Sequence, residues 1–149
     1  MKRYVLLVIP VILFCFSACK KDAAQPQATV TLVGKWYLTQ HNLTLISNGV
    51  QVGSSSKTSY TTNDYAQYFN DGTGILSANS SSSAPSLSTF RYTLNGTTII
   101  QTSSNQVNVT ETITKLTATA LSIHYETLIG DPVNSSQIDT EIDDYDFKR

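Results

Sequence analysis

The chain has 149 residues, 40% of them hydrophobic and 14% charged, so it is long enough for one hydrophobic core and too short for two. A formal net charge of −1 at pH 7 provides no basic surface, which excludes nucleic acid as an expected partner. The two cysteines, Cys15 and Cys19, both lie near the N-terminus, so no disulfide is expected within the folded domain.

Residues 1–18 have the organisation of a secretory signal. Lys2 and Arg3 precede an apolar run from Tyr4 to Phe16, which is followed by the small pair Ser17-Ala18. The run is shorter than the roughly 20 apolar residues that cross a bilayer, so we predict a cleaved signal peptide instead of a transmembrane helix. The alternative is that Cys15 and Cys19 are ordinary thiols of a cleaved secretory signal and carry no lipid.

The segment Phe16-Ser17-Ala18-Cys19 resembles the lipobox of bacterial lipoproteins. The resemblance implies cleavage before Cys19 and attachment of lipid to its thiol, so the expected partner is a membrane, reached through the N-terminal lipid. The expected location is the cell envelope at the outer membrane, with the periplasmic and surface leaflets both open. Residues 19–31 are polar and small and include Pro26, which predicts a flexible tether before a folded domain at 32–149.

Beyond residue 32 the chain is rich in Thr, Ser, Val, Ile and Tyr and lacks helical periodicity, so the domain is predicted to be all-β. Three dipeptides favour tight turns between strands, namely Asn48-Gly49, Asp71-Gly72 and Asn95-Gly96. The last pair is expected to join strands at Thr89 to Leu94 and Thr97 to Thr102. The serine runs at 54–56 and 80–83 are expected in exposed loops.

The final strand is predicted from Ile138 to Lys148, with a bulge or bend between Ile142 and Tyr145 where the apolar alternation changes phase. Counting along the chain gives about eight strands joined mostly in sequence. That number predicts an eight-stranded up-and-down antiparallel β-barrel, and a β-sandwich of the same strands is the alternative.

The segment Gly34-Lys35-Trp36 resembles the Gly-x-Trp opening of lipocalins. Later segments resemble successive landmarks of the lipocalin-like lipoproteins of Bacteroidota: Tyr68 to Gly74, Tyr92 to Gly96, Ile113 to Thr117 with Leu121 to Ile123, and Tyr145 to Lys148. The resemblance implies a barrel closed at one end by Gly34 and Trp36, with a cation from Lys148 or Arg149 over the tryptophan ring. It implies a fold more directly than it implies a ligand.

Eight tyrosines are unusual enough to suggest a lining for a cavity, because each offers an apolar ring and a hydroxyl. The candidates for ligand lining are Tyr60, Tyr65, Tyr68, Tyr92 and Tyr125. Packing within the sheet is the other role that a strand tyrosine commonly has.

No catalytic residue, metal site or cofactor is predicted. His41 and His124 are the only histidines and have no cysteine to join them, and His124 is expected to be solvated. Five carboxylates at Asp139, Glu141, Asp143, Asp144 and Asp146 follow a strand and form a line, not a calcium cage, so we expect a solvated acidic face.

Two hypotheses for function follow. The first is a non-enzymatic, lipid-anchored barrel that binds a small hydrophobic or amphipathic ligand in its interior. The second is a surface interaction module whose loops bind a protein or glycan. The sequence fixes neither the ligand nor the oligomeric state.

Overall fold

The computed structural model describes residues 30–79, 84–130 and 138–149. The predicted signal peptide, Cys19, most of the predicted tether and the serine run at 80–83 therefore lie outside the described residues. Nine strands form the described chain: β1 Gly34–Ser47, β2 Val50–Lys57, β3 Tyr65–Tyr68, β4 Thr73–Ala78, β5 Ser86–Asn95, β6 Thr98–Ser103, β7 Asn108–Leu116, β8 Ala120–Gly130 and β9 Ile138–Lys148. The described residues include no helix long and apolar enough to cross a membrane.

Eight of the strands close into an antiparallel barrel. From β3 to β9 each strand pairs with the next in the chain, and β9 then pairs with β1, which itself pairs with β3. The closing seam between β1 and β9 runs from the Tyr37–Lys148 pair to the Ser47–Asp139 pair. This closure confirms the predicted eight-stranded barrel, and the sandwich alternative is wrong because two separate sheets would leave that seam open.

The ninth strand, β2, is an addition to the barrel. The serine run 54–56 lies within β2 and is exposed, so the prediction of a loop at this run is wrong. One edge of β1 pairs with β3 over Gly34–Tyr37 and then with β2 over His41–Ser47, so β2 and β3 share the same neighbour in succession. Residues 58–64 connect the two strands. This connection lies beside the open end of the barrel, where it can take part in the wall of a cavity.

The turns agree with two of the three turn predictions and correct the third. Asn48 and Gly49 have φ values of 51° and 76°, which the two central residues of a tight hairpin require. At Asp71-Gly72 the aspartate side chain accepts hydrogen bonds from the backbone and hydroxyl of Thr73. The Asn95-Gly96 prediction is off by one residue: Asn95 pairs with Thr98, so the central residues are Gly96 and Thr97.

The hydrophobic core occupies the interior at one end of the barrel. Its largest fully buried side chains are Trp36, Tyr68, Leu32, Ile99 and Leu121. Because side chains alternate between the two faces of a strand, Leu121 and Ile123 of β8 point inward while His124 points outward. Phe90 and Tyr92 of β5 pack against this core.

The predicted bulge in the last strand is wrong. Pairing between β8 and β9 continues without a shift from Ala120–Lys148 to Gly130–Ile138. The interior positions of β9 are taken by Asp143, Tyr145 and Phe147, so a polar residue stands where the pattern suggested a change of phase. An irregularity does occur on the other side of β9, where the register of β1 shifts between Leu38 and Gln40.

Candidate functional site

The closed end of the barrel is built around Trp36. This side chain is completely buried, and its indole N–H donates a hydrogen bond to the Leu32 carbonyl at 2.7 Å. The Arg149 guanidinium lies 3.9 Å from the centroid of the Trp36 ring. It also donates to the carbonyls of Thr31 and Val33. Of the two cationic residues considered at this end, Arg149 is therefore the one over the ring, and the neighbouring Lys148 is exposed.

Gly34 makes room for that arginine. Residues other than glycine rarely adopt its φ of +133°. A Cβ added at this position would lie 2.9 Å from the Arg149 Nη2. The Gly-Lys-Trp segment therefore has a structural task in this barrel. Gly34 leaves space for the Arg149 side chain, and the Trp36 ring packs against the Arg149 guanidinium.

The other end of the interior contains a cavity of about 440 Å³. Its lining is mainly apolar and aromatic, with a small number of charged and amide side chains. The lining residues are Leu38, Lys57, Tyr60, Asp64, Tyr65, Ala66, Tyr68, Leu76, Ser77, Ala78, Asn79, Phe90, Gln101, Val109, Glu111, Ile123, Tyr125, Tyr145 and Phe147.

Four of the five candidate tyrosines contribute to this lining, namely Tyr60, Tyr65, Tyr68 and Tyr125. The four tyrosines differ in their other contacts. The Tyr65 ring also contacts Lys35 on the outer face, where the Lys35 Nζ lies 3.6 Å from the ring centroid. Tyr68 is almost fully buried where the cavity meets the core. Tyr92 is not among the lining residues: its hydroxyl donates to the Phe69 carbonyl, and its ring packs edge-on against Tyr68.

Tyr145 also lines the cavity and was not among the candidates. Its ring stacks on the imidazole of His41 with the centroids 4.4 Å apart. Burial raises the pKa of the Tyr145 hydroxyl, and the charges of Asp143, Glu111 and Glu141 add to the increase. The phenol therefore stays protonated and can donate a hydrogen bond. Only the strand register, which puts Tyr145 opposite Ile123, identifies it as an interior residue.

Glu111 is the carboxylate that faces the cavity from β7. The side-chain amide of Gln101 donates a hydrogen bond to its Oε2 at 2.5 Å. Burial raises the pKa of Glu111, and the hydrogen bond from Gln101 only partly opposes that increase. The sequence alone did not single out this residue, because a glutamate between threonines in an alternating strand resembles part of a solvated face.

Asp64 has a structural role at the edge of the same cavity. Its carboxylate accepts hydrogen bonds from the backbone N–H groups of Thr61 and Asn79 and from the Thr61 hydroxyl. Burial acts to raise the pKa of Asp64, but these hydrogen bonds and the charge of Lys57 outweigh it and lower the pKa. Asp64 thereby holds the connection between β2 and β3 against the end of β4.

The acidic run of β9 is only partly the solvated face that was expected. Asp143 is 4% exposed and lies 2.6 Å from the imidazole of His41, so for this residue the expectation is wrong. Asp144 is on the outer face, 2.8 Å from His124, whose side chain is 33% exposed. The alternation of β9 explains the difference, because successive residues point to opposite sides of the barrel wall.

The cavity offers apolar contacts and hydrogen-bonding groups to a molecule of matching size. Within the described parts of the chain, no three histidine, cysteine, aspartate or glutamate residues group as a metal site. The cavity combines aromatic rings, hydroxyl groups and two carboxylates, those of Asp64 and Glu111. Comparison of the chain with protein-family models, curated proteins and solved structures found no match.

Proposed function

We propose that this protein is a lipid-anchored β-barrel of the cell envelope that binds a small hydrophobic or amphipathic molecule in its interior and performs no covalent chemistry. The observation that supports this most is the cavity of about 440 Å³ at the open end of the barrel. Protein sites for small molecules commonly measure about 300–1,000 Å³ and combine apolar walls with a few polar groups.

The walls of the cavity match an amphipathic guest. Leu38, Val109 and Phe147 provide apolar surface, and hydroxyl groups come from Tyr60 and Tyr125. Apolar burial would supply most of the binding free energy, and the polar groups would fix the orientation of the guest. The core beneath remains packed, so a guest would not have to open the closed end of the barrel.

Titration of the full chain with the apolar dye Nile red tests this proposal. Val109 lines the cavity, so Val109→Trp should fill it and abolish the increase in dye fluorescence. Thr110→Trp places the same ring on the neighbouring, exposed position and is the matched control. Dye binding by the wild type and by Thr110→Trp, but not by Val109→Trp, supports a cavity site. Equal binding by all three proteins would place the dye elsewhere and overturn the proposal.

The anchor is the second part of the proposal and depends on the lipobox-like segment that ends at Cys19. Growth with radiolabelled palmitate should label the wild-type chain in the membrane fraction. Cys19→Ser should lose the label, while Cys15→Ser, which changes the other cysteine of the same segment, should keep it. Label retained by Cys19→Ser would show that this cysteine is not the acylated residue.

A further inference from the structure

The inner end of the cavity contains a carboxylate at the boundary with the core. Glu111 pairs across the sheet with Ile99 on one side and Tyr125 on the other. Ile99 is fully buried, and Ile113, the next interior residue of β7, belongs to the core. Glu111 is therefore the polar residue of β7 that a guest entering the cavity would meet immediately above the apolar floor.

Glu111 is held by a neutral group. In the described residues His41 contacts Asp143 and His124 contacts Asp144, and Glu111 takes part in neither contact. Its hydrogen-bond donor is the amide of Gln101, which carries no charge. A carboxylate that is shielded from solvent and accepts a hydrogen bond from only one uncharged donor is stabilised when a cation comes close.

The other charged groups that face the interior also favour a cationic ligand. Asp64 lines the cavity, and Asp143 and Glu141 are close enough to Tyr145 for their charges to raise its pKa. His41 is paired with Asp143. Lys57 is the cation of the lining, but it is exposed, and its Nζ lies 4.8 Å from the centroid of the Tyr60 ring. An anionic head group would meet more negative than positive charge.

Three tyrosines lie in the neighbourhood of the Glu111 carboxylate. Tyr125 is the cross-strand partner of Glu111, and the charge of Glu111 reaches both Tyr68 and Tyr145, since it raises the pKa of each hydroxyl. The faces of such rings attract cations. A carboxylate among tyrosine rings is a chemical environment suited to an ammonium group.

We propose that the cavity selects amphipathic molecules with a cationic amine head, which lies between the Glu111 carboxylate and the neighbouring tyrosine rings while the hydrocarbon part contacts the apolar walls. This inference rests on the proposed function, because it specifies the class of ligand for the same cavity.

The test is displacement of Nile red from the full chain by decylamine, decanol and decanoate, which share one hydrocarbon chain and differ in head-group charge. Decylamine should bind about tenfold more tightly than decanol, and decanoate should bind most weakly. In Glu111→Gln the affinity for decylamine should fall to that for decanol, with decanol unchanged. Glu126→Gln removes the same charge from an exposed position of β8 and should behave as the wild type.

A second measurement uses the wild-type chain, so it does not depend on the folding of a variant. Lowering the pH from about 7 to about 4 protonates a carboxyl group whose pKa is raised, so the preference for decylamine should disappear while decanol still binds. Equal affinities for decylamine and decanol at neutral pH would overturn the amine selectivity and leave the carrier proposal standing. Tightest binding of decanoate, lost in Lys57→Gln, would assign an anionic ligand instead. No displacement by any of the three compounds would contradict the carrier proposal as well.

Discussion

The Arg149 guanidinium stacks over the Trp36 ring at 3.9 Å and joins the last residue of the chain to the first strand of the barrel. The same guanidinium donates hydrogen bonds to two carbonyl groups of the segment before β1. The closed end is thus fastened by one cation that contacts both the ring and the backbone.

Arg149→Ala should lower the free energy of unfolding by about 1 kcal/mol, because it removes a cation–π contact and hydrogen bonds to the backbone. Urea denaturation followed by the fluorescence of Trp36, the single tryptophan, measures the change. Lys148→Ala is the matched control, since Lys148 is exposed, and should stay within about 0.5 kcal/mol of the wild type. Equal effects of the two substitutions would show that the contact with Trp36 adds nothing.

Gly34→Ala should destabilise the barrel by about 2 kcal/mol, because φ is +133° and the added Cβ would meet Arg149. Gly49→Ala separates the two causes. Gly49 also has a positive φ, of +76°, but has nothing within 4 Å of an added Cβ, so its cost should be about 1 kcal/mol from the backbone alone. Urea midpoints measure both, and an equal cost at the two sites would exclude the steric part of the explanation.

Glu111→Gln should raise the free energy of unfolding by about 1 kcal/mol at neutral pH. Burial raises the pKa of Glu111, so the folded chain holds this proton more tightly than the unfolded chain does. The stabilisation from the protonated Glu111 carboxyl is fully present below the pKa of this group in the unfolded chain. It is lost as the pH rises through the pKa of the group in the folded chain. The gain from Gln should therefore vanish near pH 4, at about the unfolded pKa. Urea melts at several pH values test this, and a gain that is constant with pH would contradict the assignment.

Asp64→Asn should have the opposite sign and cost about 2 kcal/mol at neutral pH, because the amide cannot accept all the hydrogen bonds that the carboxylate accepts from Thr61 and Asn79. The pKa of Asp64 is lowered, so its contribution is present above the unfolded pKa and is lost as the pH falls through the folded pKa. The difference between wild type and variant should shrink below about pH 4. A difference that grows in acid would show that the charge of Asp64 is unfavourable in the fold.

The sequence was sufficient to predict the features that depend on local chemistry. Gly49 marks a hairpin because few other residues accept its φ, and the apolar alternation of β8 shows which face is buried. The interior polar residues were harder to predict. Glu111 and Asp143 occupy inward positions that the alternation rule assigns to apolar side chains, and only strand register and the neighbours Gln101 and His41 explain them.

Tyrosines posed a related problem. A tyrosine in a strand can point to either side of the barrel wall, and the residue type alone does not indicate which side. Tyr145 faces the cavity because Ile123, its partner on β8, faces inward, whereas Tyr65 lines the edge of the cavity while its ring contacts Lys35 on the outer face. Local pattern therefore identifies a strand, and pairing between distant segments decides which of its aromatic rings can reach a guest.

The central claim is that the barrel interior holds a guest molecule, and native mass spectrometry of the full chain extracted from membranes in mild detergent tests it most directly. The wild type and Thr110→Trp should each retain a non-covalent adduct that denaturation releases, and Val109→Trp should be free of it. A wild type without any adduct, or an adduct that Val109→Trp retains unchanged, would contradict the claim.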